Sequence, residues 1–127
     1  GEIPSVLVES TYQHEMENIQ QQLQMQRVSL DHYLSQVHQT RETFTANVHK
    51  AAENNTRARM ALLQVAQQEN LVPTDEEMTA KMQERADKLK KPLEEIMAKS
   101  NVESIRRNEA IRRAADWVIE HSTIEEK

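Results

Sequence analysis

"ENLVPTDEEMTAKM" spans residues 69–82 and sets a proline, a threonine and three acids ahead of two methionines four positions apart. Pro73 lacks an N–H, and its ring clashes with the preceding turn, so a helix arriving from upstream stops here. Thr74 is placed to accept from the free N–H groups of a new helix. Glu77, three residues on, is placed to reach back to the Thr74 backbone, which completes a capping box. Asp75 and Glu76 fall at the positive end of the new helix dipole. The stretch therefore reads as the end of one helix and the start of another, with Met78, Met82, Ala86 and Leu89 facing inward.

Working outward, every segment carries a helical period. Downstream, Pro92 interrupts the helix, and Leu93, Ile96 and Met97 form a short apolar turn. Asn101 caps a last helix with Val102, Ile105, Ile111, Ala114, Ala115, Val118 and Ile119 inward. Upstream, Thr40 opens a helix of about 30 residues that ends near Asn70, well above the usual length. Its inward stripe is Phe44, Val48, Ala51, Ala52, Ala58, Leu62, Val65 and Ala66. The middle, "ENNTRARM" (53–60), has low helix propensity and is read as continued helix. Ser29 caps a short helix carrying Leu30, Tyr33, Leu34 and Val37. The first helix starts after Pro4 and runs to about Arg27, with Val8, Tyr12, Met16, Ile19 and Leu23 on one face. "SVLV" (5–8) is the only β-like run, and its continuation is helical.

Composition supports the same fold class. Of 127 residues, 37% are hydrophobic, 3% aromatic and 29% charged, so each helix buries a thin stripe rather than a broad face. The length suits one domain. The single glycine is Gly1, which reads as a cloning remnant, so phosphate-cradling loops and Asn-Gly hairpins have no glycine to use. Three prolines punctuate the chain and favour long helices. Cysteine is absent, which excludes disulfides and thiolate chemistry and fits a reducing compartment. No apolar run is long enough to span a membrane, and the first residues lack a signal-peptide pattern. Long helices with narrow stripes make elongated, antiparallel pairs that leave apolar flanks uncovered, and such patches mark interaction surfaces.

The net charge of −5 is unevenly spread, with a basic cluster "RRNEAIRR" at 106–113. Arginine and glutamate three or four apart, as in Glu109 with Arg112 and Arg113, describe a solvated helix face. No aromatic interleaves the cluster, so direct nucleic-acid binding is not expected.

Little here suggests chemistry. "HEMEN" (14–18) is not a zinc-binding HExxH, because Asn18 stands in the last position. The remaining histidines, 32, 38, 49 and 121, have no ligand spacing. No serine is flanked by the glycines of a nucleophile elbow. Catalytic residues, cofactor and metal are therefore all expected to be absent. Six methionines outnumber the four aromatics. Methionine adapts to many partners, but it also fills narrow seams between helices, the expected role of Met16, Met60 and Met78.

Four stretches resemble the C-terminal domain of trigger factor. "IPSVLVESTYQHEMENIQQQL" (3–23) is similar to the family's first long helix, and "QMQRVSLDHYL" (24–34) to its turn and short helix. Many members have a glycine in that turn; Arg27 and Val28 stand there in this chain. "ALLQVAQQENLVPTDEEMTAKMQERA" (61–86) carries the strongest likeness, and "RRAADWVIEHSTI" (112–124) resembles the closing helix. The resemblance covers essentially the whole chain.

It implies an all-α domain whose long antiparallel helices form a body and two arm-like protrusions. It also implies an ATP-independent chaperone of the bacterial cytoplasm that holds unfolded or nascent polypeptides in a helical cradle. The ribosome-docking and prolyl-isomerase domains of the family have no counterpart in residues 1–127, so ribosome contact would run through segments outside them. Membrane partners are not expected, and a homodimer is left open. Client-facing residues are expected where helices turn back: Leu34, Phe44 and Val48 in one arm, and Met82, Leu89, Leu93, Ile96 and Met97 in the other. Core packing is the competing role for each, since apolar residues at helical spacing are usually core. A periplasmic chaperone with a similar cradle, or a helical adaptor for one defined partner, are the alternative readings.

Overall fold

A computed structural model describes residues 3–125, with side chains described through Ser122. Gly1 and the side chains from 123 onward lie outside that range. The described residues form six α-helices and no strand: α1 Ser5–Met25, α2 Leu30–Gln36, α3 Arg41–Gln68, α4 Asp75–Leu89, α5 Leu93–Lys99 and α6 Val102–Glu125. The all-α fold expected from the periodicity is what forms.

Helix starts follow the sequence signals. Ser29 Oγ accepts from the His32 N–H, and Thr40 Oγ1 from the Thr43 N–H. Asn101 Oδ1 accepts from the Ser104 N–H at 3.0 Å. At Thr74 both halves of the capping box are present. α1 opens differently: the Leu7 and Val8 N–H groups donate to the Pro4 carbonyl, with no side-chain cap.

The ends of α1 and α3 fall close to Arg27 and Asn70, where the sequence placed them, but the conformation that closes each helix was not legible. Arg27, His38, Asn70 and Lys90 follow α1, α2, α3 and α4, each with φ between 56° and 60°. Beyond each, an N–H reaches back to a carbonyl of the last turn: Val28 to Leu23, Gln39 to Leu34, Leu71 to Ala66 and Lys91 to Ala86. This closing loop normally favours glycine. A chain without internal glycine makes it with a Cβ in place, at Arg27 as elsewhere.

The chain divides into two compact units, residues 1–59 and 60–127, with α3 contributing to both. In the first unit α1 and the early part of α3 run antiparallel. Tyr12 faces His49, with ring centroids 5.5 Å apart, and Thr56 meets Thr11. Val8, Leu34, Ala52 and Thr56 are buried. Thr56 corrects the expected stripe, which continued through Ala58. Steps of four from Val48 lead through Ala52 to Thr56, while Ala51 and Ala58 face solvent. Burial is tolerated because the Thr56 hydroxyl lies 2.8 Å from the Ala52 carbonyl and 3.1 Å from the Thr11 hydroxyl. α3 continues unbroken through 53–60, as read from the sequence.

The second unit has two small cores. Ala66, Ala110 and Ala114 form one, with Leu62, Leu63, Val65, Leu71 and Val72 against it. Met82, Ala86 and Ile96 form the other, backed by Leu93, Val102 and Ile105. Five of the eleven buried apolar residues among those described are alanine, so burial comes from close helix approach rather than bulk. Leu89, Val118 and Ile119, expected inward, are exposed, and so is Met60, expected in a seam between helices.

Candidate functional site

The basic cluster on α6 serves the link between α3 and α4. Arg106 donates to the Pro73 carbonyl at 2.6 Å and to Asp75 at 2.5 Å. Arg113 donates to the Leu71 carbonyl at 3.3 Å and to Glu77 at 2.7 Å. Both arginines thus hold backbone carbonyls of the α3–α4 link together with acids of the first turn of α4. Glu109 collects Arg112, Arg113 and Lys81 on one carboxylate. Its pKa falls to about 2, first through the Arg112 hydrogen bond and then through the charge of Lys81, against the opposing effect of burial. Glu77 is also held below the usual carboxylate range, chiefly by Arg113 and then by the Thr74 N–H. These charges are committed to one another.

Several large apolar side chains are left in solvent. In the second unit, Leu89 at the end of α4 is 55% exposed and Met97 on α5 is 39% exposed. Both lie on α4 and α5, which meet through the Met82–Ala86–Ile96 core. In the first unit, Ile19, Leu23, Tyr33 and Phe44 line a cleft of about 260 Å³, rimmed by Gln22 and Gln26. Tyr33 and Phe44 meet edge to face with centroids 6.3 Å apart. Met25 and Val37 are exposed as well. A second groove, about 700 Å³, lies along α1 and α3 in the same unit. Val8, Glu9, His49 and Glu53 line it, with Arg57 paired to Glu53.

The eight residues expected to face clients therefore fall in three environments. Leu34, Met82 and Ile96 are buried. Phe44, Val48 and Leu93 are half-buried. Leu89 and Met97 are exposed. The structure brings Met82, Ile96 and Leu93 together in one cluster and sets Phe44 in the Tyr33 cleft. Met25, Tyr33 and Val37 were not singled out as client-facing, although Met25 falls off the 16–19–23 stripe and so signals exposure.

Among the described residues no group of three or more His, Cys, Asp or Glu side chains could hold a metal ion. No described helix is long and apolar enough to cross a membrane. Capped helices with alanine-lined cores make an all-α domain. Residues 1–120 match the family described as bacterial trigger factor protein (TF) C-terminus, and the chain belongs to that family.

Several curated relatives agree. The trigger factor of Halalkalibacterium halodurans is 26% identical over 125 residues, covering 95% of this chain and 29% of the relative. That of Geobacillus thermodenitrificans is 28% identical over 130 residues, covering 97% and 29%. That of Bacillus subtilis is 25% identical over 121 residues, covering 94% and 28%. The chain thus spans under a third of the length of these relatives. No solved structure matches it significantly.

Proposed function

We propose that this chain is a nucleotide-independent chaperone module that holds unfolded or nascent polypeptides in the bacterial cytoplasm. The observation that carries the reading is the pair Leu89 and Met97, large apolar side chains left in solvent on a well-fixed α4–α5 pair. Membership of the trigger factor C-terminal family supports it.

An unfolded chain presents scattered apolar side chains. Burying about 100 Å² of apolar surface at one contact is worth about 2.5 kcal/mol, too little to hold a client alone. Several such contacts act together through multivalency. Leu89 and Met97 supply contacts on the second unit. Phe44 and Tyr33 supply a cleft for a client side chain on the first, with Val48 alongside on α3. Met82, Ile96 and Leu93 belong to the core that joins α4 to α5, and Leu34 is buried in the first unit, so these four serve packing. Methionine and leucine impose little geometry, which suits many clients rather than one. No catalytic step, cofactor or metal is assigned to this segment.

The test is suppression of aggregation of an unrelated denatured protein, followed by light scattering without nucleotide. The parent is compared with the double substitution Leu89→Ser/Met97→Ser. Both sites are solvent-facing, so circular dichroism of the variant should match the parent. The parent is expected to protect and the variant to lose at least half of that protection. A parent that fails to protect at several-fold excess contradicts the reading and favours a single-partner adaptor.

A further inference from the structure

The chain has no cysteine and six methionines, so its only sulfur atoms are thioethers. The structure grades them by exposure, with Met60 at 37% and Met16 half-buried between the extremes. Met25, at the end of α1, is 85% exposed, and Met97 is 39% exposed, while Met78 and Met82 are buried at 3% and 0%. Oxidation of methionine follows access of the oxidant to sulfur and converts a flexible apolar side chain into a polar one.

We infer that Met25 and Met97, one in each compact unit, are separate sites of reversible oxidation: a peroxide converts them to sulfoxides, and the change at Met97, within the proposed client surface, lowers the holding of apolar clients without unfolding the chain. The inference rests on the client-holding function proposed above. The sulfur attacks one peroxide oxygen. An S–O bond forms and the O–O bond breaks. The sulfur gives up two electrons, and hydrogen peroxide is reduced to one molecule of water. The sulfoxide carries a strong acceptor dipole, which must be desolvated to touch an apolar client. The buried Met78 and Met82 keep their thioethers, so the second unit keeps its core. Met60, exposed but outside the proposed client surfaces, is an internal reference for oxidation without consequence. Methionine sulfoxide reductases reverse the change.

The chain is treated with hydrogen peroxide, digested and mapped by mass spectrometry, while the same samples are assayed by circular dichroism and aggregation suppression. Met25 and Met97 are expected to gain oxygen at least fivefold faster than Met78 and Met82, with helicity unchanged. Protection by the parent is expected to fall at least threefold and to return after treatment with a sulfoxide reductase. Met25→Leu/Met97→Leu, compared with itself before and after peroxide, is expected to change little although Met60 oxidises. Equal oxidation of Met82, or an equal loss in the leucine variant, would overturn the inference. So would a parent that protects equally well before and after oxidation, and that result leaves client holding intact. A parent that never protects overturns client holding itself.

Discussion

Lys90 holds a backbone conformation that glycine adopts freely and a side chain with a Cβ does not. The left-handed region costs roughly 1–2 kcal/mol for such a residue, partly offset by the greater freedom glycine has in the unfolded chain. Lys90→Gly is therefore expected to stabilise the second unit by about 0.5–1 kcal/mol, read as a higher urea midpoint at unchanged slope. A lower midpoint would show that the side chain matters more than the backbone. Met82 predicts the opposite sign. It is fully buried between Ala86 and Ile96, so Met82→Ala should cost about 2–5 kcal/mol. A change below 1 kcal/mol would mean that this core does not carry the unit.

These two residues also mark what the sequence made readable at this scale. Met82 lies on a plain four-residue period and was read both as inward and as client-facing; the structure buries it. Lys90 carries no signal, because its conformation is set by the helix before it and the proline after it. Thr56 was missed for a related reason. Its hydroxyl finds partners on Ala52 and Thr11, and only the fold brings Thr11 near.

At the scale of the element, the start of α4 is the most specified feature. Its capping box, acidic first turn and preceding proline are all local in sequence, and all form as read. The partners that hold it are not local: Arg106 and Arg113 lie more than thirty residues away. Their arginine-rich run looked like a solvated face because sequence alone does not show which helix lies opposite.

The same junction sets a pH dependence. Glu109 has its folded pKa depressed to about 2 from an ordinary 4.5. Its contribution is then fully present above about pH 4.5 and is lost as pH falls toward 2. Glu77, shifted in the same direction by Arg113, adds to the loss. The second unit should therefore weaken steeply across that window, and Glu109→Gln should flatten the dependence while lowering stability at neutral pH. Chemical denaturation at pH 7, 4 and 3 reads both effects. A variant with the parent's pH slope would show that Glu109 is not the group responsible.

For the whole molecule, the all-helical class, the order of elements and the family were legible, because long periods, caps and prolines survive in a single sequence. The division into two compact units was not, since α3 runs through the boundary without a break in its pattern. Nor was the split of the eight candidate residues into buried, half-buried and exposed, because helical spacing marks a face and not how much of it is covered. Leu89 and Met82 share such a face, yet one is open to solvent and the other sealed. The surfaces that remain open are small, apolar and dispersed over both units, which suits weak binding of many chains better than tight binding of one.

On the function proposed above, this chain holds many unrelated unfolded polypeptides through those surfaces. The most direct test is titration of several labelled, permanently unfolded chains of unrelated sequence in nucleotide-free buffer. Dissociation constants on the order of micromolar are expected for each of them, equivalent to about −8 kcal/mol. Leu89→Ser/Met97→Ser should weaken all of them by a similar factor. Binding to one chain alone, or binding untouched by that substitution, would contradict the account.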